Sequence, residues 1–83
     1  MKYKVDVQVS LKKSILDPQG KTVNNSLKHL GYIGVEKLRI GKFITFECEG
    51  ASKNEVKTKV EEISNKILIN PIMETYTYTM EEI

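Results

Sequence analysis

Apolar and polar positions alternate over the first stretch of the chain, from Tyr3 to Leu11. The apolar set falls on every second position and comprises Tyr3, Val5, Val7, Val9 and Leu11. A period of two is typical of a β-strand with one face on a core and one polar face. We therefore predict a first strand over residues 3–11.

A strand-to-helix corner follows at Leu16–Gly20. Asp17 is a preferred N-cap, because its carboxylate can accept hydrogen bonds from the free amides of the first helical turn. Pro18 suits the next position, since it has no N–H to satisfy. Gly20 is unexpected there, because glycine inside a helix costs roughly 0.5–1 kcal/mol relative to alanine. Its presence suggests that something approaches the backbone closely.

The first helix is predicted from Pro18 to about Leu30. Val23, Leu27 and Leu30 are spaced as one apolar stripe, and Gly31 is the expected left-handed residue after the helix.

Two further apolar runs, Val35–Ile40 and Phe43–Glu49, are joined at Gly41-Lys42 and predict a hairpin. A two-residue loop would pair Ile40 with Phe43, whereas the apolar pattern prefers Ile40 opposite Ile44. Because a slip of one residue turns the apolar set outward, we expect a three-residue loop or a bulge.

Ser52–Glu55 has the spacing of a capping box and predicts the start of a second helix. Its apolar stripe comprises Val56, Val60, Ile63, Ile67 and Leu68. Asn70-Pro71 should end this helix, since the residue before a proline disfavours the helical region.

The last strand is predicted from Ile72 to about Met80. Glu74 is the one charged residue in phase with its apolar face. Either Glu74 lies at the exposed end of the strand, or a lysine or backbone amides hold it inside. Its early position in the strand favours the exposed end.

The order strand, helix, strand, strand, helix, strand predicts an α+β fold. We expect a single domain over residues 1–83, a ferredoxin-like βαββαβ unit. It should have a four-stranded antiparallel sheet with both helices on one face.

Size and charge narrow the classes of function. A chain of 83 residues is close to the limit at which one core suffices, so association with a partner is expected. A net charge of +2 is too small to indicate nucleic-acid binding. The single cysteine fits a reducing compartment, and the N-terminus alternates without an apolar signal segment. We expect a cytoplasmic protein without membrane contact.

No residues in the sequence form a recognisable catalytic, metal or cofactor site. There is no glycine-rich phosphate loop, and one cysteine with one histidine cannot build a structural zinc site. RNA-binding modules of this topology stack bases on several exposed aromatic residues. Here Phe43 is the only aromatic residue on the predicted outer face of the sheet, which argues against RNA binding. An amino-acid-sensing module of the ACT type is a better alternative, since it binds its ligand at the first strand-to-helix corner.

Several stretches, in order and over nearly the whole chain, resemble the PurS family. They are Leu11-Lys12, Ile15–Gly20, Leu27, Leu30–Tyr32, Val35–Lys42 and Lys66–Glu74. The most specific are Leu-Asp-Pro-Gln-Gly at 16–20 and Leu-x-Asn-Pro-x-x-Glu at 68–74. Lys13-Ser14 departs from the proline and glycine that the family often has there, and Ile69 replaces a common small residue.

The resemblance implies a non-catalytic small subunit of phosphoribosylformylglycinamidine (FGAM) synthase, a ligase of purine biosynthesis. Such a subunit forms a homodimer or a dimer of dimers. It assembles with a glutaminase (PurQ-type) subunit and an ATP-dependent synthetase (PurL-type) subunit. The partners use glutamine, ATP and Mg²⁺, and the small subunit bridges them and helps ammonia pass between them.

We expect five residues to face a partner or to shape the oligomer: Asp17, Gln19, Gly20, Asn70 and Glu74. The unfavourable Gly20 and the out-of-pattern Glu74 motivate this expectation. Local roles, as a helix corner and a helix stop, explain several of these residues equally well. Two surfaces are candidates for the homo-oligomer: the threonine-rich outer sheet face and an unpaired edge strand.

Overall fold

The structure is a computed structural model, and it describes all residues from Met1 to Ile83. Its elements in chain order are β1 (Lys2–Leu11), α1 (Pro18–His29), β2 (Lys42–Glu49), α2 (Lys53–Ile63) and β3 (Glu74–Glu82). A π-helical turn, Ser64–Leu68, extends α2. The three strands form one antiparallel sheet in the order β2-β1-β3.

The prediction of a four-stranded ferredoxin-like sheet is wrong, because residues 35–40 form no strand. Lys37 has a φ of 56°, which breaks the extended backbone in the middle of this segment. The amide of Ile40 donates to Asp17 Oδ2 at 2.7 Å and so does not pair with a neighbouring strand. The expected hairpin at Gly41-Lys42, with its loop or bulge, does not form.

The buried core lies between the central strand and α2. It contains seven residues: Tyr3, Val5, Val7, Val9, Val56, Val60 and Ile69. The inward face of β2 (Ile44, Phe46, Cys48) and that of β3 (Tyr76, Tyr78, Met80) pack against this core and are half-buried. The predicted alternation is therefore confirmed within the three strands, but β3 begins at Glu74, and Ile72, which was expected to begin it on the apolar face, is 79% exposed.

The capping box at the start of α2 is present with one change of partner. Ser52 Oγ accepts a hydrogen bond from the amide of Glu55 at 3.2 Å, as expected. Glu55 Oε2, however, accepts from the amide of Ala51 at 2.8 Å rather than from Ser52.

The π-helical turn alters the apolar stripe at the end of α2. A π-turn contains more residues than an α-turn, so the side chains after it are rotated relative to the α-helical pattern. Ile67 is 77% exposed, although it was predicted to face the core, and Ile69 is buried in its place.

Residues 12–41 form an arm that leaves the sheet at the end of β1 and returns at the start of β2. Val9 and Lys42 are paired neighbours in the sheet, so the arm begins and ends at the same place. Its only buried residues are Asp17 and Gly20. The molecule measures 52 Å along its longest axis and has a radius of gyration of 16.5 Å. A compact chain of this length would have a radius of about 12 Å.

Because Val60 is fully buried in the core, we predict that shortening its side chain lowers the stability of the fold. Val60→Ala removes two methyl groups from a fully buried site. We expect the free energy of unfolding to fall by about 2 kcal/mol, from lost burial and from the cavity that remains. Urea unfolding at a fixed protein concentration measures it. Lys57→Ala on the exposed side of α2 is the control, and an equal loss in both variants would contradict this core.

Candidate functional site

The corner at the start of α1 is built around the buried carboxylate of Asp17, which is 5% exposed. Asp17 Oδ1 accepts from the amide of Gly20 at 3.0 Å, so Asp17 caps α1 as predicted. Its Oδ2 accepts from the amide of Ile40, at the far end of the arm. These amides, aided by the nearby Arg39, hold the pKa of Asp17 below its ordinary value.

Only glycine fits at position 20, because the corner leaves no room for a side chain. A Cβ atom on residue 20 would lie 2.6 Å from Asp17 Oδ2 and 2.6 Å from the carbonyl oxygen of Leu38. Both distances are well inside van der Waals contact, so a side chain would force the base of the arm apart. Close approach within the chain therefore accounts for this glycine.

Arg39 fastens the other side of the arm's base. Its Nη2 donates to the carbonyl oxygens of Lys12 and Ile15, each at 3.0 Å. The loop before the corner is therefore bound to the segment that leads into β2. Sequence reasoning missed this role, because nothing local indicates which carbonyls an arginine will reach.

Asn70 and Glu74 form a second closed turn, between α2 and β3. Glu74 Oε1 accepts from the amide of Asn70 at 2.8 Å, and the amide of Glu74 donates to the carbonyl of Asn70 at 2.7 Å. Lys42 Nζ lies 3.4 Å from Glu74 Oε2. The amide of Asn70 and then Lys42 lower the pKa of Glu74. The Glu74 side chain is 16% exposed, so the expectation of an exposed strand end is wrong and its alternative is confirmed.

The structure brings the five predicted site residues to one end of the sheet, where β1 ends and β2 and β3 begin. Asp17, Gln19 and Glu74 line a single cavity of about 240 Å³, together with Gly41 and Lys42. Gly20 and Asn70 do not line the cavity, but each is hydrogen-bonded to a residue that does. Asp17, Gly20, Asn70 and Glu74 have hydrogen-bond partners within the chain, Gln19 is exposed, and the role of all five toward another chain stays a prediction.

The arm presents several apolar side chains that no other part of the chain covers. No residue of α1 belongs to the buried core. The exposed set comprises Val23, Leu30, Tyr32 and Ile33, with Ile33 91% exposed. The sequence correctly predicted the apolar stripe of α1 but placed it against the sheet of the same chain. The arm is thus a third candidate for the contact surface, beside the outer sheet face and the edge strands.

The structure contains no group of three or more His, Cys, Asp or Glu side chains placed to hold a metal ion. Neither helix is long and apolar enough to cross a membrane.

Gly20→Ala tests the packing at the corner. The added methyl group would meet the Asp17 carboxylate and a backbone carbonyl, neither of which can move without opening the arm's base. We expect a loss of about 1–3 kcal/mol in the free energy of unfolding. Gln19→Ala in the same helical turn is the control, since Gln19 is exposed. Equal stability of the glycine and alanine forms in urea would refute the clash.

Acidification should destabilise the protein through Asp17 and Glu74. Both pKa values are lower in the folded state than in the unfolded chain. Their contribution is therefore complete above the unfolded value of about 4 and is lost as pH falls through the lower folded value. Urea midpoints measured from neutral to acidic pH should fall in that window. Glu74→Gln should show a smaller fall, whereas the exposed control Glu62→Gln should match the parent.

Comparisons with known proteins agree on one family. The family model PurS, described as phosphoribosylformylglycinamidine (FGAM) synthase, matches residues 4–82. The PurS subunit of phosphoribosylformylglycinamidine synthase from Bacillus subtilis is 42% identical over 81 residues, covering 98% of this chain and 95% of the relative. The corresponding subunit from Methanocaldococcus jannaschii is 37% identical, covering 98% of each chain. A chain in the structure of PurLQS from Thermotoga maritima superposes with a TM-score of 0.89 at 28% identity, covering 98% of this chain and 99% of that one. The chain therefore belongs to the PurS family of phosphoribosylformylglycinamidine synthase subunits.

Proposed function

We propose that this chain bridges the glutaminase and synthetase subunits of FGAM synthase and is not itself catalytic. In that complex, ammonia released from glutamine converts formylglycinamide ribonucleotide to formylglycinamidine ribonucleotide at the expense of ATP. Glutamine, ATP and Mg²⁺ are assigned to the partner subunits, and this chain helps ammonia pass between them. The Thermotoga maritima relative, whose structure is that of PurLQS, supports an assembly of this kind.

The observation that carries this proposal is the uncovered apolar surface of the arm. More than a third of the chain projects from the sheet, and it buries only the two residues at its base. Exposed apolar side chains grouped on one projecting element are typical of a protein–protein contact. An arm that contributes nothing to the core of its own chain is suited to holding other chains together.

A second copy of this chain is the first partner that we propose for the arm. The core of one chain has only seven buried residues, which is small for a domain of this length. The inward face of β2 is only half-buried, so it leaves apolar surface that another arm could cover. A homodimer or dimer of dimers would then present its remaining surface to the glutaminase and the synthetase.

The candidate site residues fit this role at the base of the arm. Asp17 and Gly20 set the direction in which the arm leaves the sheet. Asn70 and Glu74 close the neighbouring turn, and Gln19 is exposed beside them. We propose that these residues shape the oligomer by fixing the arm and that Gln19 is available for direct contact.

The amino-acid-sensing alternative gains no support from the corner. A ligand there would need free backbone amides at the start of α1, but the amide of Gly20 already donates to Asp17. The space beside Gly20 is filled by Asp17 and Leu38.

We propose the cytoplasm as the site of action. Cys48 is the only cysteine, so the chain cannot form an internal disulfide, and this composition is usual in a reducing compartment.

Reconstitution from separate subunits tests the proposed function. Light scattering coupled to size-exclusion chromatography should show that the chain alone is an oligomer. With the glutaminase and synthetase subunits, glutamine and Mg-ADP, it should enter one complex. Glutamine-dependent synthesis should require this chain, whereas synthesis supplied with free ammonia should depend on it much less. If the chain elutes separately from both subunits and synthesis does not require it, the proposal is overturned.

The arm's part in assembly is tested with Val23→Ser/Leu30→Ser. Both side chains are exposed in the single chain, at 40% and 73%, so its fold should be little affected. We expect the oligomer to dissociate at concentrations where the parent remains associated, because the uncovered apolar area is reduced. His29→Ser, which is exposed beside Leu30, is the matched control. Unchanged association of the double variant would place the interface elsewhere.

A further inference from the structure

A groove on the arm gathers positive charge that the assembly role does not require. It lies between the loop before α1, the second turn of α1 and the segment that leads to β2, and its volume is about 610 Å³. Four of its lining side chains are cationic: Lys13, Lys21, Lys37 and Arg39. The whole chain carries a net charge of only +2, so this is a local concentration of charge.

The three lysines of the groove have no carboxylate partner within the chain. The ion pairs of the structure involve Lys2, Lys42 and Lys59, all outside the groove. Asp17, the one acid in the lining, is committed through both oxygens to backbone amides. Cations that converge on one concavity without a counter-ion repel each other, and an anion between them would relieve that repulsion.

The backbone at Lys37 is held in an unfavourable conformation at this groove. Lys37 is the only residue other than glycine with a positive φ, at 56°. A lysine has a Cβ atom that disfavours this region, whereas glycine would adopt it freely. Strain of this kind is concentrated at functional sites. Here the chain carries a cation into the groove at a position where glycine would be more stable.

A polar group without a partner indicates what else the ligand carries. Asn24 also lines the groove, and its Oδ1 is buried without a hydrogen-bond donor. Buried polar atoms are normally paired, so a ligand with a hydroxyl or amino donor would complete this one. The volume falls within the range of roughly 300–1,000 Å³ that is usual for small-molecule sites.

We propose that this groove binds a small molecule that carries both a phosphate monoester and hydroxyl groups, as in a sugar phosphate. The phosphate would lie among the three lysines, and the Asn24 side chain would turn its Oδ1 toward the groove to accept a hydrogen bond from a hydroxyl. Cations that belong to more than one wall of a concave groove are able to neutralise a single compact dianion. An acidic protein segment would instead need a row of separated charges. The inference is independent of the bridging role, which assigns no ligand to this chain.

Calorimetric titration of the full chain with ribose 5-phosphate tests the proposal. Inorganic phosphate, ribose, adenosine monophosphate and glutarate serve as comparison ligands. We expect ribose 5-phosphate to bind, ribose not to bind, and inorganic phosphate and glutarate to bind more weakly. Affinity should fall at about 0.3 M NaCl, because salt screens exposed charges. Tighter binding of adenosine monophosphate than of ribose 5-phosphate would identify a nucleotide as the source of the phosphate monoester.

Lys37→Gly separates binding from folding. It removes one cation and relieves the positive φ, so the variant should be at least as stable as the parent in urea. We expect its affinity for ribose 5-phosphate, and that of Lys21→Gln, to be weaker by roughly tenfold. Lys57→Gln, on α2 and outside the groove, should bind as the parent does.

Four results on the chain alone would overturn the proposal. They are no detectable binding at millimolar ribose 5-phosphate, affinity unchanged in Lys37→Gly and Lys21→Gln, inorganic phosphate binding as tightly as ribose 5-phosphate, and glutarate binding as tightly. The titration is repeated on the reconstituted three-subunit complex. Loss of binding there, with assembly weakened by Lys21→Gln, would assign the groove to an acidic partner surface instead.

Discussion

Asp17 ties the first turn of α1 to the far end of the arm, and the residues between these two points are held at both ends by this one carboxylate. One carboxylate oxygen holds the amide of Gly20 and the other holds the amide of Ile40. The arm starts and ends at neighbouring positions of the sheet, because Val9 pairs with Lys42. A charged group is stable in such a buried place only when hydrogen bonds replace its lost hydration. The missing side chain of Gly20 makes room for this arrangement.

The tie separates the chain into a small core and an arm that buries little of itself. The core uses the central strand, α2 and Ile69, and it takes nothing from α1. Apolar stripes on unpacked helices are unstable in water unless another surface covers them. Because hydrogen bonds fix the base of the arm, covering its apolar stripe on association costs less conformational entropy than ordering a free segment would.

Local signals in the sequence predicted five of the six expected elements correctly, whereas long-range contacts decided how they pack. The Asp17-Pro18 corner, the left-handed Gly31 and the alternation in β1 are set by neighbouring residues, and all are present. Periodicity shows which side of α1 is apolar but not what covers it. Residues 35–40 have the composition of a strand, yet a carboxylate more than twenty residues away takes the amide of Ile40. The sequence offered a lysine as a partner for Glu74 without indicating that it would be Lys42.

The groove and the apolar stripe lie on the same arm, so the hydrogen bonds at the base of the arm fix the position of both. Asp17 lines the groove and also the small cavity beside Glu74. Arg39 also lines the groove, and its Nη2 donates to two backbone carbonyls of the loop before α1, which forms one wall of the groove. An anion that offsets the repulsion among the groove cations would therefore stabilise the closed base and, with it, the direction of the stripe. Thermodynamic linkage makes such an effect reciprocal: a partner that holds the arm would strengthen binding in the groove by the same factor.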